Sequence, residues 1–438
     1  MRLEGFPMTP IPFGEAISVW WRIGVLSFGG PAGQIALMHR ILVEEKGWID
    51  ESRFLHALNY CMLLPGPEAQ QLATYVGWLL HGVRGGLVAG LLFILPGAVA
   101  ILALSWLYVL LGDLVLVEGL FFGLKAAVLA IVAQALLRIA GRALQGVLKP
   151  VLALAAFAAL FVFGLPFPLV VVGAGLIGYL GARLSPPPGD IAAPAITPVT
   201  LRPGTRTAAI TCFVLWIGTL GGLYLLLGPD NVFAQIGTFF AKMALITFGG
   251  AYAVLSYVAQ QGVENYQWLQ PGEMLDGLAM AETTPGPLIL VTQFVGFLAG
   301  YREGMPQPGL LAATAGALLT LWVTFLPCFV WIFAGAPHVE KLRGNRALSA
   351  TLAAITAAVV GVIANLALWF ALNALFADQQ RISDYGMDLL LPQPASLDLA
   401  LLIISLVAVA LVFVFRVSVL PLLAICAGMG VIWTLLGA

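Results

Sequence analysis

Charge is scarce in this sequence. Of its 438 residues 9% are Asp, Glu, Lys or Arg, against about 25% in an ordinary soluble domain. Apolar residues make up 61%, more than a water-soluble globule of this size can hide, which excludes a cytosolic enzyme and a disordered chain. A net charge of −1 leaves no basic surface for nucleic acid. Cysteine is scarce too. Cys61, Cys212, Cys328 and Cys426 lie far apart in apolar stretches, without a CxxC pair, so neither a disulfide framework nor a zinc site is expected. The four histidines do not cluster, and no metal or other cofactor is expected. There is no GxxxxGK(S/T) loop to bind ATP. The first thirteen residues lack a short apolar core with a cleavage site and are expected to be retained.

What is present is long uncharged runs. Residues 85–112, 150–182, 207–229, 305–339, 347–377, 399–415 and 417–438 contain no Asp, Glu, Lys or Arg. A membrane span needs about 20 such residues, so the fold class is an all-α polytopic membrane protein. Residues 114–137 form a further span holding Glu118 and Lys125, seven apart on one face, which reads as a buried ion pair. Six prolines between residues 184 and 206 mark an extended linker. The expected organisation is a first unit at 1–183, the linker at 184–206, and a second unit at 207–438.

The two units repeat. Ser27-Phe28-Gly29-Gly30 returns as Thr247-Phe248-Gly249-Gly250, Trp48 as Trp268, and Pro65-Gly66-Pro67 as Pro285-Gly286-Pro287, all 220 residues later. Further along, Leu95-Pro96 matches Leu326-Pro327. Several matches in one register indicate a duplicated unit. Arg22 and Lys242 also share the register, each a cation inside an apolar segment six residues before its Phe-Gly-Gly.

The duplicated (S/T)FGG and PGP signature around a proline-rich linker resembles the chromate ion transporter family in its long, two-domain form. The resemblance covers nearly the whole chain and rests on Phe28-Gly29-Gly30-Pro31, Leu64-Pro65-Gly66-Pro67 and Thr284-Pro285-Gly286-Pro287. It implies export of chromate, or of a related oxyanion such as sulfate, across the bacterial inner membrane, and chromate resistance.

Loop charge sets orientation, because cytoplasmic loops carry excess Lys and Arg. Arg40, Lys46 and Arg53 follow the first Phe-Gly-Gly segment, while 258–273 has no Lys or Arg. The turn at 111–117 has no cation, while 336–346 carries Lys341, Arg343 and Arg346. The 138–149 turn is basic and 378–397 is mainly acidic. Each comparison reverses between the halves, so an inverted repeat is expected. Even counting between 38–53 and 138–149 then requires 54–83 to enter and return on one side. Proline breaks a helix, so Pro65-Gly66-Pro67 is expected at the tip of a re-entrant hairpin, with Phe-Gly-Gly at the tips of others. The expected total is roughly nine crossings and four hairpins.

Broken backbone at membrane depth survives only inside protein or beside a polar cavity, so four breaks in register are expected to meet near the midplane. Helix N-termini attract anions. The expected anion ligands are Arg22 and Lys242, the hydroxyls of Ser27, Thr247 and Thr284, and backbone at Gly29, Gly30, Gly66, Gly249, Gly250 and Gly286. Glu68 and Glu282 are the candidate proton carriers; Gln70, Gln71, Thr283, Thr292 and Gln293 sit beside the same breaks. Arg22 has an alternative as an ion pair with Glu15, seven residues earlier on the same helix face, and Ser27 and Thr247 as bonds to a carbonyl one turn back. Trp48 and Trp268 suit an interfacial belt. Secondary active transport by alternating access, driven by the proton gradient or membrane potential, is expected, with a passive oxyanion channel as the alternative. The partners are the oxyanion and the bilayer, no nucleic acid, and a second copy of the chain in a homodimer.

Overall fold

The computed structural model describes residues 11–112, 114–184, 202–248, 251–304, 308–335, 346–382, 387 and 389–436. The first half runs α1 (Phe13–Leu26), α2 (Gly30–His39), a π-helical turn (Arg40–Glu45), α3 (Glu51–Cys61), α4 (Glu68–Leu111), α5 (Val115–Ala143), α6 (Leu148–Phe161) and α7 (Phe167–Leu184). A single helix, α8 (Thr205–Leu227), follows the linker. The pattern then restarts with α9 (Val232–Ile246), α10 (Ala251–Gln260), a second π turn (Gln261–Asn265), α11 (Pro271–Thr283), α12 (Val291–Glu303), α13 (Leu310–Gly335), α14 (Arg346–Leu375), α15 (Leu399–Phe413) and α16 (Val419–Leu435). A small antiparallel hairpin, β1 (Gln379–Ile382) and β2 (Leu389–Pro392), sits between α14 and α15. Six helices are long and apolar enough to cross a membrane by length and composition.

The duplication extends to the hydrogen bonds. Each π turn ends the same way, with Trp48 N donating to Leu42 O at 2.9 Å and Trp268 N to Gly262 O at 2.8 Å. Asp50 and Gln270, again 220 residues apart, cap α3 and α11; Asp50 accepts from Arg53 N at 2.7 Å, and Gln270 shares a reciprocal cap with Glu273. Both tryptophans are buried, Trp268 completely. Both pack against the core, and Phe240 and Tyr266 stack on Trp268.

The 44 residues of α4 are two arms, not one rod. His81 and Gly82 leave helical geometry, Gly82 at φ 64°. Gly77 then lies against the Gly85 carbonyl, and Gly86 against the Thr74 carbonyl, so the outer arm (83–111) doubles back along the inner arm (68–80). In the second half the same reversal separates α12 from α13, with Gly296 against Gly316. Small residues let the paired backbones touch. The linker's far end is pinned at the first reversal, where Trp78 Nε1 donates to Thr205 Oγ1 at 2.9 Å.

The halves exchange partners. The long helix α5 packs on α15 and α16, and its counterpart α14 packs on α6 and α7. Gly123 abuts the Cys426 carbonyl in the first contact, and Gly361 abuts the Ala153 carbonyl in the second. Helix α8 has no counterpart among the described residues of the first half. The pair expected between Glu118 and Lys125 is replaced by one between the halves. Lys125 Nζ lies 3.6 Å from Asp276 Oδ1, and Tyr108 OH donates to Asp276 Oδ2 at 3.0 Å. Asp276 is buried on α11 and Lys125 is half-buried, while Glu118 is exposed in the first turn of α5.

Candidate oxyanion site

The helices around the breaks are short because the sequence interrupts them. Helix α1 has 14 residues, α2 10, α3 11, α9 15, α10 10 and α11 13. At about 1.5 Å per residue they span roughly 15–22 Å, short of the roughly 30 Å hydrocarbon core. Gly29 and Gly30 take φ 85° and 72°, Gly66 116° and Gly286 98°. These left-handed values favour glycine, and they turn the chain between a helix that ends and one that begins. Gly249 and Gly250 lie outside the described residues.

The four breaks meet, and they meet crosswise. Gly66 N donates to Thr247 O at 2.9 Å, and Gly286 N donates to Ser27 O at 2.9 Å. Both bonds run from the PGP turn of one half to the (S/T)F segment of the other, and exchanging each residue for its repeat equivalent, 220 positions away, turns either bond into the other. The backing of the turns is exchanged as well. A Cβ on Gly66 would stand 2.9 Å from Cys328 Sγ of α13; Gly97 of α4, the residue matching Cys328, abuts the Pro285 carbonyl. Each PGP turn is therefore held from both sides by the opposite half.

A small cleft opens at this junction, its roughly 350 Å³ of empty space including open solvent. First-turn residues of four helical segments line it: Pro31 of α2, Glu68 and Ala69 of α4, Ala251 of α10, and Leu288 and Ile289 of the 3₁₀ turn that leads into α12. Four N-termini thus converge on one space. Gln34 and Thr247 complete its wall. Glu68 contributes its only ionisable side chain and makes no hydrogen bond or ion pair among the described residues. The second carboxylate, Glu282, is buried and accepts a 2.5 Å bond from Tyr252 OH.

The other predicted ligands fall in different places. Ser27 and Thr247 are buried, and their hydroxyls donate one turn back to Ile23 O and Met243 O, both at 2.6 Å. Their carbonyls, not their hydroxyls, form the junction. The N–H groups of Gly66 and Gly286 are spent on those carbonyls and are not free for an anion in this conformation. Thr284 donates to Ala281 O at 3.4 Å, Thr283 to Met280 O, and Thr292 to Ile289 O. Gln71 braces the first turn at Pro65 O (2.7 Å), Gln293 reaches Ala98 O, and Gln70 bonds Thr74.

Arg22 and Lys242 do not reach the centre. Five residues separate Arg22 from Ser27, about 7.5 Å along α1, and its exposed guanidinium pairs with Glu45 at 2.9 Å. Glu15, the partner the sequence offered, goes instead to Lys46 at 2.7 Å. Lys242 is exposed on α9. At the positions of Glu45 and Lys46 the second half has Asn265 and Tyr266, so Lys242 has no ion pair among the described residues. Gln34 and Tyr252 were not singled out from the sequence. Comparing the halves position by position gives the available signal, since Gln34 faces Val254 and Tyr252 faces Ala32 in the repeat register.

Comparison with known proteins gives the same answer as the duplicated breaks. The family described as Chromate transporter matches residues 14–179 and 234–432. This chain belongs to that family. A chromate transport protein of Pseudomonas aeruginosa is 32% identical over 363 residues, covering 81% of this chain and 80% of that one. Its counterpart in Cupriavidus metallidurans is 29% identical over 366 residues, covering 82% and 83%. An uncharacterized transporter of Methanocaldococcus jannaschii is 25% identical over 351 residues, covering 80% and 82%. No solved structure matches the chain. This member of the chromate transporter family is a multi-pass membrane protein, and its two matched segments coincide with the two interlocked halves.

Proposed function

We propose that this protein exports chromate, or an oxyanion of the same tetrahedral dianionic class, across the bacterial inner membrane by alternating access, conferring chromate resistance. The observation that carries the reading is the convergence of four helix N-termini on one cavity. Each N-terminus contributes about 0.3–1 kcal/mol toward an anion, and up to about 2 kcal/mol where partly buried. Backbone dipoles are the groups that favour an anion here, since no Lys or Arg lines the cavity among the described residues. Gly29 and Gly30, where α2 begins, and the backbone of Glu68 and Ala69, where α4 begins, are the groups assigned to the anion.

Glu68 shares the space that the dianion would occupy. An ionised carboxylate and an oxyanion repel each other there, so the anion is held when Glu68 carries its proton. This couples transport to protons, while the inside-negative membrane potential drives the anion outward. The crosswise bonds close the cavity's floor, which favours a gated carrier over an open pore.

The halves are assigned opposite orientations. If the segments around the breaks enter and return, the first repeat crosses with the outer arm of α4, α5, α6 and α7, an even number. Helix α8 adds one, so the second repeat starts on the other side. Cysteines placed at 45 and 265 are expected to label from opposite faces of intact cells; labelling of both from one face would end the inversion.

Arg22 and Lys242 then stand on opposite approaches. In inside-out vesicles Arg22→Ala is expected to raise the KM for chromate several-fold, up to about tenfold at low ionic strength. It should leave kcat in place, and Lys242→Ala should leave that KM unchanged. Loss of kcat in either variant would put these cations at the centre after all.

A further inference from the structure

The two junctions are equivalent in backbone and unequal in side chains. At the first, Ser27 O accepts from Gly286 N at 2.9 Å, and Gln34 adds two bonds, Nε2 donating to Gly286 O at 2.6 Å and to Ser27 O at 3.3 Å. One amide group thus ties the (S/T)F segment of the first half to the PGP turn of the second. Gln34 is buried, 1% exposed, and its Oε1 has no partner among the described residues. At the second junction Thr247 O accepts from Gly66 N at 2.9 Å. The residue in Gln34's register there is Val254, which cannot donate.

The backing of the turns differs in the same sense. Behind Gly286 stand the Leu290 side chain of its own half and the Gly97 backbone of the other. Behind Gly66 stand the Gln71 side chain of its own half and Cys328 Sγ of the other. What the opposite half supplies is thus backbone behind one turn and a thiol that can rotate behind the other. At membrane depth no water replaces a broken backbone bond, so the junction crossed by one bond among the described residues, with the softer backing, separates at lower cost than the junction crossed by two, Gly286 N to Ser27 O and Gln34 Nε2 to Gly286 O.

We propose that Gln34 is a positioning residue that keeps the Ser27–Gly286 junction shut, so that the transport cycle opens the Thr247–Gly66 junction beside Glu68. The proposal rests on the transport reading above for its functional meaning. Val254 leaves the moving junction unlatched, and Glu68, next to Gly66 and Pro67, rides on the turn that moves. The two halves would then play different parts in spite of their common origin.

The test uses Ser27→Cys and Thr247→Cys, two buried positions in repeat register whose side chains lie outside the crosswise bonds. In the full-length protein in lipid nanodiscs, Thr247→Cys should react with a maleimide about tenfold faster than Ser27→Cys, the difference expected for one extra buried hydrogen bond across the halves. Adding Gln34→Leu should bring Ser27→Cys up to the rate of Thr247→Cys and leave the latter's rate unchanged. Gln34→Leu should also alter kcat for chromate with little change in KM. Equal labelling of the two cysteines with Gln34 in place would overturn the latch, and so would a Ser27→Cys rate that ignores Gln34→Leu. If Gln34→Leu does not fold, the comparison with Gln34 intact decides alone. Absence of chromate flux in the unsubstituted protein would sink the transport reading instead, while leaving the labelling comparison readable.

Discussion

Glu68→Gln is expected to abolish the pH dependence of chromate transport. In the unsubstituted protein the KM for the dianion should rise with pH, by up to about tenfold per unit where one proton is linked to binding. The sign follows from the geometry. Glu68 is the ionisable side chain of the cavity, so binding is full at low pH, where it is protonated, and is lost as it ionises. Glutamine keeps the shape and removes the charge. The variant should hold the low-pH KM across the range, and an imposed pH gradient should no longer change its flux. Glu282→Gln is the control. Its carboxylate is already engaged by Tyr252, so the substitution should affect stability and leave the KM profile standing. A pH profile untouched by Glu68→Gln and removed by Glu282→Gln would move the proton to the second half.

Gly97→Val should stop transport without stopping insertion. The new side chain would collide with the Pro285 carbonyl and with Leu290, both in the other half. Overpacking of this kind costs about 1–3 kcal/mol, and here the displaced atoms are backbone of a turn that the cavity depends on. The outer arm of α4 remains an apolar span, so the protein should reach the membrane at a normal level. A drop in chromate uptake of at least about tenfold is expected, since 1.4 kcal/mol suffices for that factor. The register-equivalent change Cys328→Ser should be far milder, because it adds no atom. Normal uptake by Gly97→Val in vesicles, at equal protein, would contradict the exchange of backing walls between halves.

Much of this architecture was legible in the residues. The 220-residue register predicted that the four breaks belong together, and the bonds Gly66–Thr247 and Gly286–Ser27 join them in that register. The short helices beside Pro65 and Pro285 also follow from local chemistry, since two prolines flanking a left-handed glycine leave no helical continuation, whereas the single Pro96 and Pro327 lie within α4 and α13. The crosswise pairing was not legible. A repeat shows that two segments are equivalent, not whether each packs within its own half or against the other. Charge misled for a related reason. Arg22 stood out because it lies in an apolar run, yet which face of α1 it occupies is settled by packing of Ala16, Val19, Trp20 and Ile23 into the core, which turns Arg22 outward to Glu45. Lys125 found Asp276 instead of Glu118 because packing of α11 against α5 brings the buried Asp276 within 3.6 Å, a contact between the halves that spacing along one helix does not show. Gln34 gave the weakest signal, one amide in a short helix, and only the unequal comparison with Val254 marks it.

The most direct test of the central claim places a thiol where four N-termini converge. Ala251→Cys puts it in the first turn of α10, on the cavity wall. Reaction with a negatively charged thiol reagent should be slowed by chromate, with half-protection near the transport KM, and should be unaffected by chloride at equal ionic strength. Transport-competent protein whose Ala251→Cys thiol reacts at the same rate with and without saturating chromate would show that the anion is carried elsewhere.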